Sequence, residues 1–389
     1  MSAEELRGVP FCRPDVTEEE IQEVVRAIRS GWITTGPKVR EFEEAFARRI
    51  GAPWAVAVSS CTAGLHLSLA ALGCGPGDEV ITSTNTFTAT AASIVQTGAR
   101  PVLVDIEEDT FNIDPARVEE AITDRTRAIV PVHIAGHPAE MDRILESAAS
   151  RRIPVIEDAA HSLPAAFRGR TIGTLSDLTC FSFYATKNLT TGEGGMITGA
   201  GEELHEKVAL LGYHGMSRDG WKRYTSQGSW AYDILAHGFK YNLSDIAASM
   251  GLGQLARLDG MQERRRAIVA RYDEAFASLD PVIRPVARPH VEHAWHLYVI
   301  RIRPEALTID RDELIRRLAE RKIGTSVHFI PLHRHTYYRE SLGLSAGSFP
   351  VAERVFSTCV SLPLFPSMTG EEVDRVIGAV REIIGESIR

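Results

Sequence analysis

The sequence is poor in cysteine: five cysteines are spread along 389 residues, and none belongs to a Cys-x-x-Cys pair. An odd number of scattered cysteines argues against a disulfide framework and a cysteine metal site, and indicates a reducing compartment. The chain also lacks any run of about 18 apolar residues, and its acidic first residues contain no apolar targeting segment. We therefore expect a cytoplasmic protein without a membrane partner.

Positive charge is also in deficit. The sequence has 43 lysines and arginines against 51 aspartates and glutamates, which gives a formal net charge of -8. Such a chain has no net basic field to attract nucleic acid or anionic lipid. Because 44% of the residues are hydrophobic, the chain can bury a large core. The composition favours a globular enzyme that acts on small molecules, with no nucleic-acid partner.

Short β-branched runs alternate with helical segments from about residue 54 to residue 200. This alternation is typical of an α/β fold in which helices cover both faces of a mostly parallel sheet. Ligands of such sheets bind at the carboxyl ends of the strands. Strands are predicted at residues 55–58, 79–82, 101–105, 128–133, 154–157, 178–183 and 196–198, and helices at 63–72, 89–96, 115–122 and 140–150.

A long helical pattern after this block predicts a second domain. It runs from residue 245 to about residue 279, with a weak point at Gly251 and Gly253. We predict a large domain over residues 13–250, and a linking helix with a smaller C-terminal α+β domain over residues 251–389. Further predicted elements are helices that begin at Thr17, Asp310 and Thr369 and one at residues 41–50, and strands at 297–302 and 324–329.

Two charged residues follow predicted strands of the large domain. Asp158 comes directly after residues 154–157, and Lys187 comes soon after residues 178–183. Pyridoxal phosphate needs an ionised acid that keeps its ring nitrogen protonated and a lysine that forms a Schiff base. Asp158 also suits a helix N-cap, and an average lysine is simply solvated. The pairing of the two residues at one sheet edge favours a pyridoxal phosphate site.

A phosphate site is predicted where residues 59–64 open a helix. Free backbone N–H groups and a Thr hydroxyl at a helix start bind anions, although ordinary Ser/Thr capping produces the same pattern. Ser182 adds a second hydroxyl, and the glycines around residue 194 allow the backbone to pass close to a cofactor. Five histidines lie between residues 293 and 335, but they lack a carboxylate-histidine helix pattern, and we predict no metal site.

These motifs together resemble the DegT/DnrJ/EryC1/StrS family of sugar aminotransferases, which are fold type I pyridoxal phosphate enzymes. The resemblance covers nearly the whole chain. Residues 237–245, 293–297 and 324–329 look most like the branch that acts on UDP-4-keto sugars, which includes 4-amino-4-deoxyarabinose synthase. The motifs that carry the family resemblance are residues 32–37, 59–65, 77–81, 156–161, 181–188 and 194–195.

The resemblance implies a role for each matching residue. Lys187 is the catalytic, Schiff-base lysine, Asp158 holds the pyridine nitrogen, and His161 contacts the phenolic oxygen of the ring. Phe87 stacks on the ring where relatives carry a larger aromatic. The residues expected to hold the phosphate are Thr62, Ala63, Ser182 and, from the other subunit of a homodimer, Asn242. The residues expected to contact the substrate are Thr35, Lys240 and His328.

The expected function is transfer of an amino group from L-glutamate to a keto carbon, C4 in our expectation, of a UDP-linked sugar. A pyridoxamine-dependent sugar dehydratase is one alternative, but that branch has a histidine where this chain has Lys187. A non-catalytic regulator on the same fold is the other. The intact Asp158 and Lys187 pair argues against a regulator, and we expect no DNA-binding extension.

Overall fold

The computed structural model describes residues 8–217 and 232–389. The strands in these ranges are β1 (Trp54–Val58), β2 (Glu79–Ser83), β3 (Arg100–Val104), β4 (Thr126–Val130), β5 (Ile156–Asp158), β6 (Ala166–Phe167), β7 (Arg170–Thr171), β8 (Leu178–Ser182), β9 (Gly195–Gly199), β10 (Val282–Ile283), β11 (Val291–Glu292), β12 (Tyr298–Ile302) and β13 (Cys359–Leu362).

The α-helices are α1 (Glu18–Ser30), α2 (Pro37–Ile50), α3 (Cys61–Ala71), α4 (Thr88–Gln96), α5 (Pro115–Ala121), α6 (Met141–Arg151), α7 (Glu202–Gly212), α8 (Asp245–Phe276), α9 (Arg311–Glu320), α10 (Thr336–Leu342), α11 (Pro350–Thr358) and α12 (Gly370–Glu386). Within the described ranges, none of these helices combines the length and the apolar character that crossing a lipid bilayer requires.

The central layer is a mostly parallel sheet, as the sequence predicts. A four-stranded sheet has the order β1-β9-β8-β5, and a three-stranded sheet has the order β3-β2-β4. Parallel bridges from Ile129 to Val155 and from Val132 to Asp158 connect the two. Each of the seven strands predicted for this layer overlaps a strand of the structure. The predicted α/β class is therefore confirmed, and Asp158 lies at the centre of the sheet.

One strand of this sheet runs in the direction that the alternation pattern did not predict. β9 is antiparallel to both β1 and β8. Two parallel strands must be joined by a crossover connection, which is usually a helix. Residues 183–194, which join β8 to β9, contain no helix. Gly195 lets β9 pass close to the start of α3, because a Cβ at this position would lie 2.8 Å from the backbone nitrogen of Cys61.

The predicted long helix is confirmed as α8, which begins at the N-cap Ser244. The predicted weak point is wrong, because α8 continues through Gly251 and Gly253. At Gly251 a Cβ would lie 2.7 Å from the ring of Phe42, and at Gly253 it would lie 2.6 Å from Glu20. Both glycines therefore allow close packing of α8 against α2 and α1. The boundary between residues 250 and 251 stays a prediction.

The C-terminal region has its own sheet and its own core. Strands β10, β12 and β13 form an antiparallel sheet, and the core beside it includes the buried rings of Tyr272, Tyr298 and Phe365. The strand predicted at residues 324–329 is wrong. In this segment Ser326 makes an isolated bridge to Ser361 of β13, whereas the preceding residue, Ile323, bridges to Val9 of the N-terminal segment. The change of partner prevents a continuous ladder.

Candidate active site

A cavity of about 540 Å³ opens where β5 and β8 end and α3 begins. Residues of the C-terminal region, including His296 and Leu364, close its opposite side. The cavity brings together most of the residues that the sequence predicts for cofactor and substrate binding. The predicted residues that line it are Thr62, Phe87, Asp158, His161, Ser182, Lys187 and His328. Four others, which do not line it, are Thr35, Ala63, Lys240 and Asn242.

Asp158 is the last residue of β5, and its side chain is 4% exposed. Burial raises the pKa of this carboxyl, while hydrogen bonds from the Thr90 hydroxyl and the Ala160 N–H and the charge of Lys187 lower it. The neighbouring Glu157 points to the other face, as strand alternation predicts, and accepts a 2.8 Å hydrogen bond from Nε2 of the buried His133. Asp158 therefore supplies a buried acidic group to the cavity.

Lys187 lies five residues beyond Ser182, the last residue of β8, and is partly buried. Burial lowers the pKa of its amine to about 8, and the nearby Cys61, Asp158 and Cys12 partly offset this effect. Within the described ranges, its Nζ atom forms no hydrogen bond and no ion pair. A partly desolvated and unpartnered amine is the state that covalent chemistry with a carbonyl group requires.

The ring of His161 has a fixed arrangement of protons. Burial, together with the charge of Lys187, holds the pKa of His161 well below its usual value, so the ring is neutral. The backbone N–H of Ala135 donates to Nδ1 over 3.3 Å, which leaves the proton on Nε2. His161 therefore offers a hydrogen-bond donor to the cavity, and its ring stacks on Phe329 with centroids 5.7 Å apart.

His296, which the sequence analysis did not assign to this site, has the opposite arrangement. The side-chain amide of Asn188 donates to the carbonyl of Ala294 over 2.8 Å, so its oxygen faces Nδ1 of His296 at 3.1 Å. Nδ1 must then donate, and Nε2 is an acceptor, since burial and nearby charges hold the pKa of His296 well below its usual value. The rings of His161 and His296 are 4.4 Å apart.

The segment predicted to bind phosphate forms the start of α3, and phosphate binding there stays a prediction. Ser60 is the N-cap, and its Oγ accepts a 3.0 Å hydrogen bond from the N–H of Ala63. The Ala63 N–H is therefore engaged in capping, and Ala63 does not line the cavity. Thr62, in the first turn of α3, and Ser182, at the end of β8, do line it. The positive end of the α3 helix dipole favours an anion beside Thr62.

Phe87 and His328 line the cavity from other directions. Phe87 is the N-cap residue of α4 and is 59% exposed, which is unusual for a large apolar side chain. Its ring lies 6.0 Å from the ring of Phe329. His328 pairs through Nδ1 with the Ser361 hydroxyl over 2.8 Å, and burial lowers its pKa to about 4. The cavity therefore combines an open aromatic face with neutral imidazoles.

Thr35, Lys240 and Asn242 form a separate cluster. The Asn242 amide donates to the Thr35 hydroxyl, and Lys240 donates to the Asn242 oxygen. The Thr35 hydroxyl donates in turn to the carbonyl of Leu243 over 2.6 Å. The sequence predicts all three polar side chains as site residues, and the structure places them together but outside the cavity of the same chain.

The remaining histidines of the C-terminal cluster have other contacts. His293 stacks on Trp295 with ring centroids 3.9 Å apart, and His333 contacts Glu353 over 2.7 Å. His335 lies at the N-terminal end of α10. In the part of the chain that the structure describes, no three His, Cys, Asp or Glu side chains are grouped as metal ligands.

These features fit pyridoxal phosphate. The cavity has a buried acid at a strand end, an unpartnered lysine, an aromatic face and hydroxyl groups at a helix start. The fold and this site define a fold type I enzyme that depends on pyridoxal phosphate. The chain belongs to the DegT/DnrJ/EryC1/StrS aminotransferase family, whose model matches residues 14–381.

Two curated relatives resemble the chain over nearly its whole length. An uncharacterized protein of Methanocaldococcus jannaschii is 52% identical over 379 residues, which cover 97% of this chain and 98% of that protein. The spore coat polysaccharide biosynthesis protein SpsC of Bacillus subtilis is 50% identical over 377 residues, which cover 97% of each chain.

A solved structure extends the comparison to the bound cofactor. A candidate sugar aminotransferase of Streptococcus pneumoniae, in its pyridoxal phosphate form, has a TM-score of 0.91 and 37% identity, and the match covers 97% of this chain and 99% of that one. The same protein in its pyridoxamine phosphate form has the same TM-score and identity. The predicted family and cofactor are thus confirmed.

Proposed function

We propose that this protein transfers an amino group from L-glutamate to a keto carbon, C4 in our expectation, of a UDP-linked sugar. The observation that carries the proposal is the convergence of Asp158 and Lys187 from the neighbouring strands β5 and β8 on one cavity. The sugar aminotransferase family to which the chain belongs supports the reaction class. The polysaccharide role named for SpsC supports a product used in a cell-surface polysaccharide.

Pyridoxal phosphate supplies an electron sink for transamination when it is bound. Asp158 would keep its ring nitrogen protonated, and the Nε2–H of His161 would donate to its phenolic oxygen. Lys187 would accept a proton from the substrate carbon and return it to the cofactor side, because a pKa of about 8 leaves part of the amine free near neutral pH. Thr62 and Ser182 would hold the phosphate at the start of α3.

The substrates need more positive charge than this cavity provides. Among the described residues that line it, Lys187 is the only lysine or arginine, whereas a diphosphate and the carboxylates of glutamate favour cationic partners. We propose that a second copy of the chain supplies Lys240 and Asn242 in a cytoplasmic homodimer. Lys222 and Arg223, which the sequence also suggests for the diphosphate, lie outside the described residues.

Exposed apolar residues support the shared site. Trp32 is 41% exposed and Ile33 is 55% exposed. Both residues lie close in sequence to Thr35, which contacts Asn242. A partner subunit that covers this surface would remove large apolar side chains from water. The same contact would place Asn242 at the cavity of the partner, where its amide would reach the phosphate.

A substrate panel tests the proposal. The purified protein is incubated with L-glutamate and UDP- or dTDP-linked 4-keto and 3-keto sugars, and amino sugar and 2-oxoglutarate are measured by mass spectrometry. We expect both products in equal amounts, with the highest rate for a UDP-4-keto sugar. The control variants are Lys187→Ala, which should be inactive, and Lys207→Ala, which changes an exposed lysine on α7.

Two results would contradict the proposal. Loss of water from the sugar without amine transfer would indicate the dehydratase reaction. Absence of any turnover, in a protein whose bound cofactor does not respond to glutamate, would indicate a regulator. A preferred dTDP or 3-keto sugar would retain the aminotransferase class and overturn the proposed substrate.

A further inference from the structure

We propose that Thr90 is a positioning residue for Asp158, and that Thr86 directs the Thr90 hydroxyl proton towards the Asp158 carboxylate. This inference rests on the proposed role of Asp158 as the partner of the ring nitrogen. Thr90 lies in the first turn of α4 and is 1% exposed. Its Oγ1 lies 2.8 Å from Oδ2 of Asp158.

The direction of the hydrogen bonds follows from the number of protons. The Thr90 hydroxyl has one proton and three oxygen neighbours: Oδ2 of Asp158 at 2.8 Å, Oγ1 of Thr86 at 2.8 Å and the carbonyl of Phe87 at 3.4 Å. An ionised carboxylate can only accept a hydrogen bond, and it is the strongest acceptor among the three neighbours. The Thr90 hydroxyl therefore donates its hydrogen bond to Oδ2 of Asp158. The Thr86 hydroxyl must then donate to Thr90. The chain of donors runs from Thr86 through Thr90 to Asp158.

The two carboxylate oxygens of Asp158 have different partners. Oδ1 accepts the backbone N–H of Ala160 over 3.1 Å and has the Cys61 thiol at 3.9 Å. Among the described residues, the Thr90 hydroxyl is the hydrogen-bond donor to Oδ2. Loss of this donor leaves one oxygen of a buried anion unsatisfied, which is costly in a low-dielectric site. Thr90 therefore fixes the orientation of the carboxylate and favours its charge.

The burial of the site makes this single donor important. Burial is the largest influence on the pKa of Asp158 and raises it, and the hydrogen bond from Thr90 is the largest influence that lowers it. Without the Thr90 hydroxyl, the carboxyl would hold its proton to a higher pH. A protonated Asp158 would no longer keep the pyridine nitrogen in its charged form.

Two substitutions at residue 90 separate the hydroxyl from the shape of the side chain. Thr90→Val keeps the shape and removes the donor, whereas Thr90→Ser keeps the donor. The control is Thr88→Val, since the Thr88 hydroxyl lies on the same helix but contacts Tyr338 at 2.8 Å. Each protein is loaded with pyridoxal phosphate labelled with ¹⁵N, and the ring-nitrogen chemical shift is followed against pH without any substrate.

We expect the ring nitrogen of Thr90→Val to lose its proton at a lower pH than in the parent protein, and its cofactor dissociation constant to rise about tenfold. Thr90→Ser and Thr88→Val should resemble the parent protein. If Thr90→Val does not fold, Thr86→Val replaces it and should shift the ring nitrogen in the same direction by a smaller amount.

Equal ring-nitrogen titrations for Thr90→Val and Thr90→Ser would overturn the inference. Asp158→Asn serves as the reference, because it removes the charge itself. If Asp158→Asn shifts the ring nitrogen and Thr90→Val does not, Thr90 has no positioning role and the role of Asp158 stands. If neither variant shifts it, the role of Asp158 in the proposed function fails as well.

Discussion

The side-chain amide of Asn242 donates a hydrogen bond to the hydroxyl of Thr35, a residue 207 positions earlier in the chain. Asp245 extends this link, because its carboxylate accepts the backbone N–H groups of Gly36 at 2.8 Å and Val39 at 3.0 Å. The segment that contains Thr35 and the segment that contains Asn242 therefore form one anchored surface. In our account this surface contributes to the active site of a second subunit.

Complementation between inactive variants tests that contribution. Lys187→Ala removes the amine that we propose is catalytic, and Asn242→Asp places a negative charge where the phosphate would bind. A mixed dimer has one site with both residues intact if Asn242 acts across the interface. After subunit exchange at equal concentrations, activity should return to roughly a quarter of that of the parent protein, because half of the dimers are mixed and each has one intact site.

The matched control for this experiment mixes Lys187→Ala with Asp158→Asn. Asp158 and Lys187 line the same cavity of one chain, so no mixed dimer has an intact site and activity should stay absent. Labelled subunits and native mass spectrometry establish that exchange has occurred. Exchange without recovered activity in the first mixture would show that Asn242 does not act on the partner.

Asp158→Asn should slow transamination severely while the protein stays folded. The substitution keeps the shape of the side chain and removes the charge that, in our proposal, holds the ring nitrogen protonated. We expect the single-turnover rate with glutamate to fall roughly 100-fold, which corresponds to about 2.7 kcal/mol. Stopped-flow absorbance of the bound cofactor measures this rate, and an unchanged rate would exclude the assigned role.

The buried amine of Lys187 should destabilise the protein before the cofactor binds. Its pKa is lowered from 10.5 to about 8, so below pH 8 both the folded and the unfolded chain hold the proton and the cost is constant. Between pH 8 and 10.5 only the unfolded chain keeps it, and the stability of the parent protein rises with pH.

Lys187→Met removes this cost while retaining a long apolar side chain. At pH 7 the cofactor-free variant should exceed the parent protein in free energy of unfolding by on the order of 2–3 kcal/mol, and the difference should vanish near pH 10.5. Chemical denaturation across this pH range measures both. Lys207→Met, on an exposed face of α7, is the control and should show no such difference. A constant difference at all pH values would contradict the buried-amine account.

Asn188→Asp should change the protonation of His296. The new carboxylate would accept the Nδ1–H of His296 and stabilise a positive ring, so the pKa of His296 should rise from its present low position. Nuclear magnetic resonance of ¹⁵N-labelled histidine follows the titration of the ring. The substitution also removes the bond from Asn188 to the Ala294 carbonyl, so some loss of stability is expected. Identical titration curves would disprove the assigned hydrogen bond.

The sequence could predict the parts of the site that depend on strand ends. Asp158 ends one strand of a mostly parallel sheet and Lys187 follows the end of the neighbouring parallel strand. Parallel strands end at the same edge, so their meeting at one cavity was predictable. The start of α3 was predictable for the same reason, since Ser60 follows β1 and caps the helix. The direction of β9 was not predictable. The pattern of strands and helices in the sequence does not show whether a short connection leads to a parallel or an antiparallel strand.

The partners of these residues depend on contacts between distant elements. Thr90 reaches Asp158 from α4, and no local pattern distinguishes it from other threonines in a helix. His296 meets Asn188 only because residues near β12 close over the cavity. The sequence leaves open whether the Ser/Thr-rich motif at residues 59–64 caps a helix or binds phosphate, and the structure shows that the Ala63 N–H is used by the Ser60 cap. Side-chain packing decides each of these cases.

The most direct test of the account is to find which lysine carries the cofactor. The protein loaded with pyridoxal phosphate is treated with borohydride, which makes the link to the lysine permanent, and is then digested and mapped by mass spectrometry. We predict one modified peptide, with the label on Lys187, and no such label when glutamate has first converted the cofactor to its amine form. A label on another lysine, or no label in the protein that has not met glutamate, would show that Lys187 is not the residue that holds the cofactor.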